Sequence, residues 1–282
     1  MSISVTPEQF AKDHLSRLND RQREAVLAVD GAVLLLAVPG SGKTTVLVTR
    51  LGYMVYCCGI APTQILTMTY TVAATDEMRR RFRAQFPGAD ADRLTFCTIN
   101  SLSNRIIGFY GKTYGRNTFR LAEEGEILSL LGEIYQRVNE DYATTGILRD
   151  IRTNITYVKN QMLSTEEIRK LKTGIDNFPA IYEQYRAELL QQRAMDFDDQ
   201  MVYAKRILEQ YPQVLEAFQN EYRYLCVDES QDTSKIQHSL IRLLVGKSGN
   251  LFMVGDEDQS VYGFRAAYPD ALVHFEADYP GA

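Results

Sequence analysis

The chain has 282 residues, of which 45% are hydrophobic and 24% charged, and its net charge is −5. Such values suit a globular protein with a sizeable core and exclude a disordered chain or a uniformly basic nucleic-acid coat, while leaving room for a local basic groove. The four cysteines (Cys57, Cys58, Cys97, Cys226) form no C-x-x-C pair, so buried thiols in a reducing compartment are expected in place of a metal site.

No charged-then-apolar leader opens the sequence and no apolar run approaches the length of a bilayer span, so a cytoplasmic protein with no membrane contact is expected. Residues 7–30 read as two short helices. In the second, Asn19 and Asp20 give a start signal before apolar positions at helical spacing. Gln22 lies on it, and its amide can pair with an adenine edge; a surface glutamine is the plain alternative.

A strand is predicted over 32–38 and a helix over about 43–58. Between them runs Ala37-Val38-Pro39-Gly40-Ser41-Gly42-Lys43-Thr44. In that order a glycine-containing loop has physical meaning as a phosphate cradle. Gly40 and Gly42 let the backbone curl so that its N–H groups point at phosphate oxygens, and the following helix adds the positive end of its dipole. Lys43 can reach the β- and γ-phosphates and the Thr44 hydroxyl can ligate Mg²⁺. Ala37 stands where the first glycine is usual, which a small-residue loop accepts.

A β-branched strand from Gln64 to Tyr70 leads into a helix at 73–85, and a third strand, Leu94 to Thr98, into a helix from about Ser101. Alternating strands and helices predict a parallel sheet with helices on its faces and a ligand site at the carboxyl ends of the strands. From Ile106 to about Gln192 helical periodicity dominates, which predicts a mostly helical insertion. It opens with Phe109 to Arg120, basic and aromatic residues interleaved with no acid. That stretch reads equally as a nucleic-acid contact or as a connector with buried tyrosines.

Sheet character returns near Asp196, where Asp196-Phe197-Asp198-Asp199 reads as a helix cap. A strand from Tyr222 to Val227 ends in Asp228-Glu229. One carboxylate there can hold the Mg²⁺ shell and the other can polarise an attacking water. A last strand, Leu251 to Val254, runs into Gly255 to Arg265.

Taken together, these segments resemble the N-terminal half of a UvrD/Rep-like superfamily 1 DNA helicase. Leu18-Asn19 with Gln22 resembles its adenine-reading motif, and Ala37 to Thr44 its phosphate loop. Leu66 to Thr71 resembles motif Ia, Thr98 to Arg105 motif Ib, Val227 to Thr233 motif II, and Val254 to Ala267 motif III. The resemblance implies an α/β fold, a RecA-like P-loop NTPase parallel sheet carrying a mostly helical inserted subdomain. Residues 1–107 and 194–282 would form the RecA-like domain and 108–193 the insertion. It implies ATP and Mg²⁺ as cofactors, an ATP-dependent 3′→5′ motor, and single-stranded or 3′-tailed duplex DNA as partner.

By the same resemblance, Lys43, Asp228, Glu229 and Gln259 would be catalytic, with Gln259 sensing the γ-phosphate. Thr44 and Asp228 would hold Mg²⁺. Gln22, Ala37, Val38, Pro39, Gly40, Ser41, Gly42, Lys43, Thr44, Thr45 and Arg50 would surround the nucleotide. Tyr70, Thr71, Asn100, Tyr262, Phe264 and Arg265 would meet DNA. The sequence departs from the family at Thr45, Val72, Ala73, Asn100 and Ser230, mostly on the DNA side. A second RecA-like lobe, expected in cis, would supply an arginine finger typically worth about 10³–10⁵ in rate. The isolated chain is therefore expected to bind ATP weakly, hydrolyse it slowly and not unwind DNA. A helicase subunit of a recombination nuclease, or a non-motor ATP- or DNA-binding module, are the alternatives.

Overall fold

A computed structural model describes residues 6–88, 90–256, 267–268 and 270–282. Helix α1 (Pro7–Phe10) runs through a π-turn, Ala11–Leu15, toward α2 (Asp20–Leu27), which Asn19 and Gln22 cap reciprocally. Then come β1 (Ala32–Leu36), α3 (Lys43–Tyr56), β2 (Ile65–Thr69), α4 (Val72–Gln85), α5 (Asp90–Arg93), β3 (Thr95–Thr98) and α6 (Ile99–Tyr114). The middle of the chain holds β4 (Arg120–Leu121), α7 (Glu124–Asn139), α8 (Thr145–Asn160), α9 (Thr165–Lys170), α10 (Phe178–Gln191) and β5 (Ala194–Met195). The last part comprises α11 (Phe197–Gln210), α12 (Pro212–Glu221), β6 (Tyr224–Val227), α13 (Lys235–Val245), β7 (Leu251–Gly255), α14 (Asp270–Val273) and α15 (Phe275–Asp278).

Five strands form one sheet in the order β1-β7-β6-β2-β3, every neighbouring pair parallel. Helices cover both faces, which is why β2 and β7 are buried along their whole length. One face packs Val26, Leu47, Leu51, Met54 and Phe82 against Ile65, Phe252 and Val254. The other packs Ile106, Ala204, Leu208, Leu240 and Ile241 against Leu66, Leu225 and Met253. Because all strands run one way, Leu36, Met68, Val227 and Gly255 bring their following loops to a single edge.

The inserted helices have a core of their own, with Ile127, Leu131, Ile134, Ile151, Ile155, Phe178, Ile181 and Tyr185 all buried. Helix α6 starts earlier than expected and runs through position 107 to Tyr114. Of the two readings of Phe109 to Arg120, the geometry favours packing. Phe109 meets Phe218 edge-on, and Tyr110 and Tyr114 both pack on Tyr211. Beyond α6, β4 and β5 form a two-stranded parallel ladder that no sequence pattern announced. Cys226 is buried as expected, but Cys57 and Cys97 are half-buried and Cys58 is exposed.

A buried ionic joint ties the insertion to the sheet domain. The Asp196 side chain caps α11 by accepting from the Asp199 N–H, so capping is confirmed there. Its other oxygen accepts from Lys159 Nζ and from the Tyr185 hydroxyl, each at 2.7 Å. Lys159 also lies 2.8 Å from Asp199, and Arg152 lies 3.1 Å from Asp198. Burial by itself would raise the Asp196 pKa, but Lys159 and Arg152 outweigh it and hold the group down at about 2.

Candidate functional site

The loop after β1 has the shape its glycines foretold. Gly40 and Gly42 have φ of +75° and +84°, in the left-handed region that favours glycine. The Ala37 N–H donates to the Gly255 carbonyl at 3.1 Å and the Ser41 N–H to the Val38 carbonyl at 3.2 Å, which closes the turn over the start of α3. Gly42 is the N-cap of α3 and has no side chain to satisfy that helix's first N–H groups. The Ser41 hydroxyl is buried with no partner among the described residues. Free donors at a helix start, beside a buried hydroxyl, form a cradle suited to an anionic ligand.

Lys43 opens α3 and turns back across the loop. Its ammonium donates to the Ala37 carbonyl at 3.2 Å and to Asp256 Oδ2 at 3.1 Å. Thr44 is half-buried beside it, whereas Val38, Pro39 and Thr45 are exposed. Gln22 reaches the loop too, its Nε2 donating to the Ser41 carbonyl at 2.9 Å while its Oε1 accepts the Asn19 N–H. Each end of that amide is thus engaged once.

Arg50 is not at the nucleotide, contrary to expectation. It lies seven residues along α3 from Lys43, about 10 Å further down the axis. Arg50 is 2% exposed, and its guanidinium stacks on Phe252 and donates to the carbonyls of Ala25, Val26, Ala28 and Val29. Those carbonyls close the C-terminal end of α2, so Arg50 braces the helix that carries Gln22.

Across the edge, β6 delivers Asp228 and Glu229. The Asp228 N–H continues the ladder to the Met68 carbonyl at 2.9 Å, which fixes its carboxylate at the strand's end. Burial, reinforced by the neighbouring Glu229 charge, pushes the Asp228 carboxyl up to about 6, against the pull of the Glu229 N–H and Lys43. Glu229 has φ of +51°, an uncommon backbone for glutamate, and is half-buried. Thr44 and Asp228 are hard oxygen donors of the kind Mg²⁺ prefers. Among the described residues no group of three or more His, Cys, Asp or Glu side chains could hold a metal. The remaining ligands of such an ion would be nucleotide oxygens and water.

The sequence reading assigned no role to Gln231 or Asp256. Gln231 donates from Nε2 to Glu229 Oε2 at 2.6 Å, and its Oε1 accepts the Asp256 N–H at 2.9 Å. Asp256 directly follows β7, so the rule that residues after each strand build the site would have found it.

At the same sheet edge Tyr70 and Val72 are 43% and 65% exposed, and Phe197, unremarked in the sequence, is 55% exposed. Asn100 is tied to this patch, its Nδ2 donating to the Phe197 carbonyl at 2.9 Å. Thr71 caps α4 through the Ala74 N–H. Gln259, Tyr262, Phe264 and Arg265 lie outside the described residues.

A family model described as the UvrD/REP helicase N-terminal domain matches residues 18–280. An ATP-dependent DNA helicase PcrA from Bacillus subtilis is 35% identical over 271 residues, 95% of this chain. Proteins of the same name from Leuconostoc citreum and Staphylococcus aureus are 34% and 33% identical over 94% and 95% of it. The chain spans only 36–37% of the length of these relatives.

Proposed function

Since the chain belongs to the UvrD/REP helicase N-terminal domain family, we propose that it is the ATP-binding part of an ATP-dependent 3′→5′ DNA translocase of the cytoplasm. The observation that carries this is the facing of two walls across one sheet edge. The cradle of Ala37 to Thr44 lies opposite Asp228 and Glu229, close enough for the Lys43 charge to act on Asp228.

In this reading the cradle N–H groups and Lys43 grip the β- and γ-phosphates, and Gln22 contacts adenine. Thr44 and Asp228 would hold Mg²⁺, which would supply neutralisation of phosphate charge. Glu229 takes a proton from the attacking water. Gln259 completes the γ-phosphate contacts. Tyr70, Phe197, Tyr262 and Phe264 stack on successive bases, a contact that tolerates any sequence and so suits a motor. Thr71, Asn100 and Arg265 meet the same strand. The chain divides into a RecA-like domain, 1–107 with 194–282, and a helical insertion, 108–193. Tested by themselves, these 282 residues are expected to bind ATP weakly, hydrolyse it very slowly and not unwind DNA, because the opposite face of such a nucleotide site is supplied by a second lobe.

The test is ATP binding and single-turnover hydrolysis by this chain, with and without single-stranded DNA, beside Lys43→Ala and Glu229→Gln. Binding abolished by the first substitution and hydrolysis by the second is the expected result. If neither substitution changes anything, the site assignment is wrong. Fast DNA-stimulated turnover by the isolated chain would overturn the claim that it is slow.

A further inference from the structure

We propose that Gln231 is a positioning residue for hydrolysis: its amide fixes the Glu229 carboxylate to the end of β7 and thereby to the lysine that grips phosphate. The inference rests on the assignment of Glu229 as the group that activates water.

The geometry leaves the amide one orientation. The Asp256 N–H is only a donor, so the atom facing it at 2.9 Å must be the Gln231 oxygen. The nitrogen is then turned to Glu229 Oε2, and that 2.6 Å contact is a donor meeting a carboxylate. Gln231 is 3% exposed, so water competes little for either bond and both are stronger than at the surface. Glu229 needs such a hold. Its backbone sits in the left-handed region at a φ of +51°, and its side chain has one more rotatable bond than that of Asp228.

The bond also reaches beyond Glu229. The turn that carries Gln231 packs directly on β7, for a Cβ built on Gly255 would lie 2.5 Å from the Ser230 hydroxyl. Asp256, whose N–H holds the Gln231 oxygen, binds Lys43 through its side chain at 3.1 Å. Lys43, Asp256, Gln231 and Glu229 therefore form one line from the phosphate grip to the attacking water. A shift of Asp256 as phosphate takes over Lys43 is passed through a single amide to Glu229.

Two substitutions separate positioning from simple support. Gln231→Met loses both bonds at similar length, and Gln231→Leu loses both with a shorter branched side chain. Both are expected to lower single-turnover ATP hydrolysis about 10²-fold, as small misplacements of reacting groups do, with ATP affinity within twofold of the wild type. In the wild type, a Gln231 side-chain amide proton should resonate downfield of free glutamines and return in Glu229→Ala. A purely structural role predicts that folded Gln231→Met hydrolyses at the wild-type rate; that result, or an amide resonance indifferent to Glu229→Ala, overturns the proposal. If the wild type hydrolyses ATP no faster than Lys43→Ala, the proposed function falls first and takes this inference with it.

Discussion

The Lys43 ammonium rests on the carboxylate of Asp256, 3.1 Å away, and the two side chains are 12% and 2% exposed. The residue meant to bind phosphate thus has a negative partner from within the chain. Lys43→Ala should remove nucleotide binding and also lower the melting temperature, because Asp256 loses its ammonium. A hydrogen bond to a charged group is worth about 2 kcal/mol. Adding Asp256→Asn should restore the melting temperature without restoring binding. A double variant as unstable as Lys43→Ala would show that the ion pair adds nothing.

Asp228 should make the site sensitive to acid. In the folded chain its carboxyl holds a proton up to about pH 6, well above an ordinary carboxylate. The folded state therefore binds more protons than the unfolded one between about pH 4 and 6, and stability falls as pH rises through that window. Asp228→Asn should melt higher than the wild type above pH 6 and equally below pH 4, by thermal denaturation across pH. It should also abolish the Mg²⁺-dependent part of ATP binding, which in the wild type should weaken below pH 6. Equal melting temperatures at pH 8 would refute the burial cost.

Arg50 should behave as a brace. Arg50→Met strips a donor from four carbonyls at the end of α2, at a cost of about 2–4 kcal/mol. Calorimetry should show the loss of stability, and nucleotide titration below the melting transition should show a small change by comparison. A variant of normal stability that no longer binds ATP would return Arg50 to the nucleotide site.

Lys159→Met tests the ionic joint between insertion and sheet. It leaves the Asp196 carboxylate without its nearest cation in a fully buried position, which typically costs about 3–5 kcal/mol. Hydrogen exchange should rise along α8 and at the start of α11 before it rises in the sheet. Unchanged protection there would mean that Arg152 and Tyr185 suffice.

Tyr70→Ala and Phe197→Ala should each weaken single-stranded DNA binding about tenfold, at the lower end of what a lost base–aromatic stack costs. Fluorescence anisotropy with two unrelated base compositions checks it. The loss should be similar on both, and no loss on either would remove the pair from the groove.

Strand, loop and helix announced the phosphate cradle because its signals are local: an apolar run, two glycines and a lysine within eight positions. The parallel sheet followed from alternation, and the acidic pair from its place after β6. What stayed hidden depends on distance along the chain. Asp196 read as a cap, and it is one, but its bond to Lys159 spans 37 positions and has no local trace. The family resemblance places Arg50 at the nucleotide, whereas two helical turns of α3 carry it away from the loop. Strands β4 and β5 have two residues each, too short to show a period of two. Phe197 was passed over because a lone aromatic between acids gives no hint of exposure.

The sheet order gives the two walls of the site unequal freedom. Among the described residues, β1 lies at the sheet's edge and is held by β7 alone, whereas β6 is clamped between β7 and β2. The acids therefore follow a strand hydrogen-bonded on both sides, and the phosphate loop follows one hydrogen-bonded on a single side. A ligand held by the loop would load the margin of the sheet first, and β7, with the Gln231 tie at its end, would carry that load to the acids.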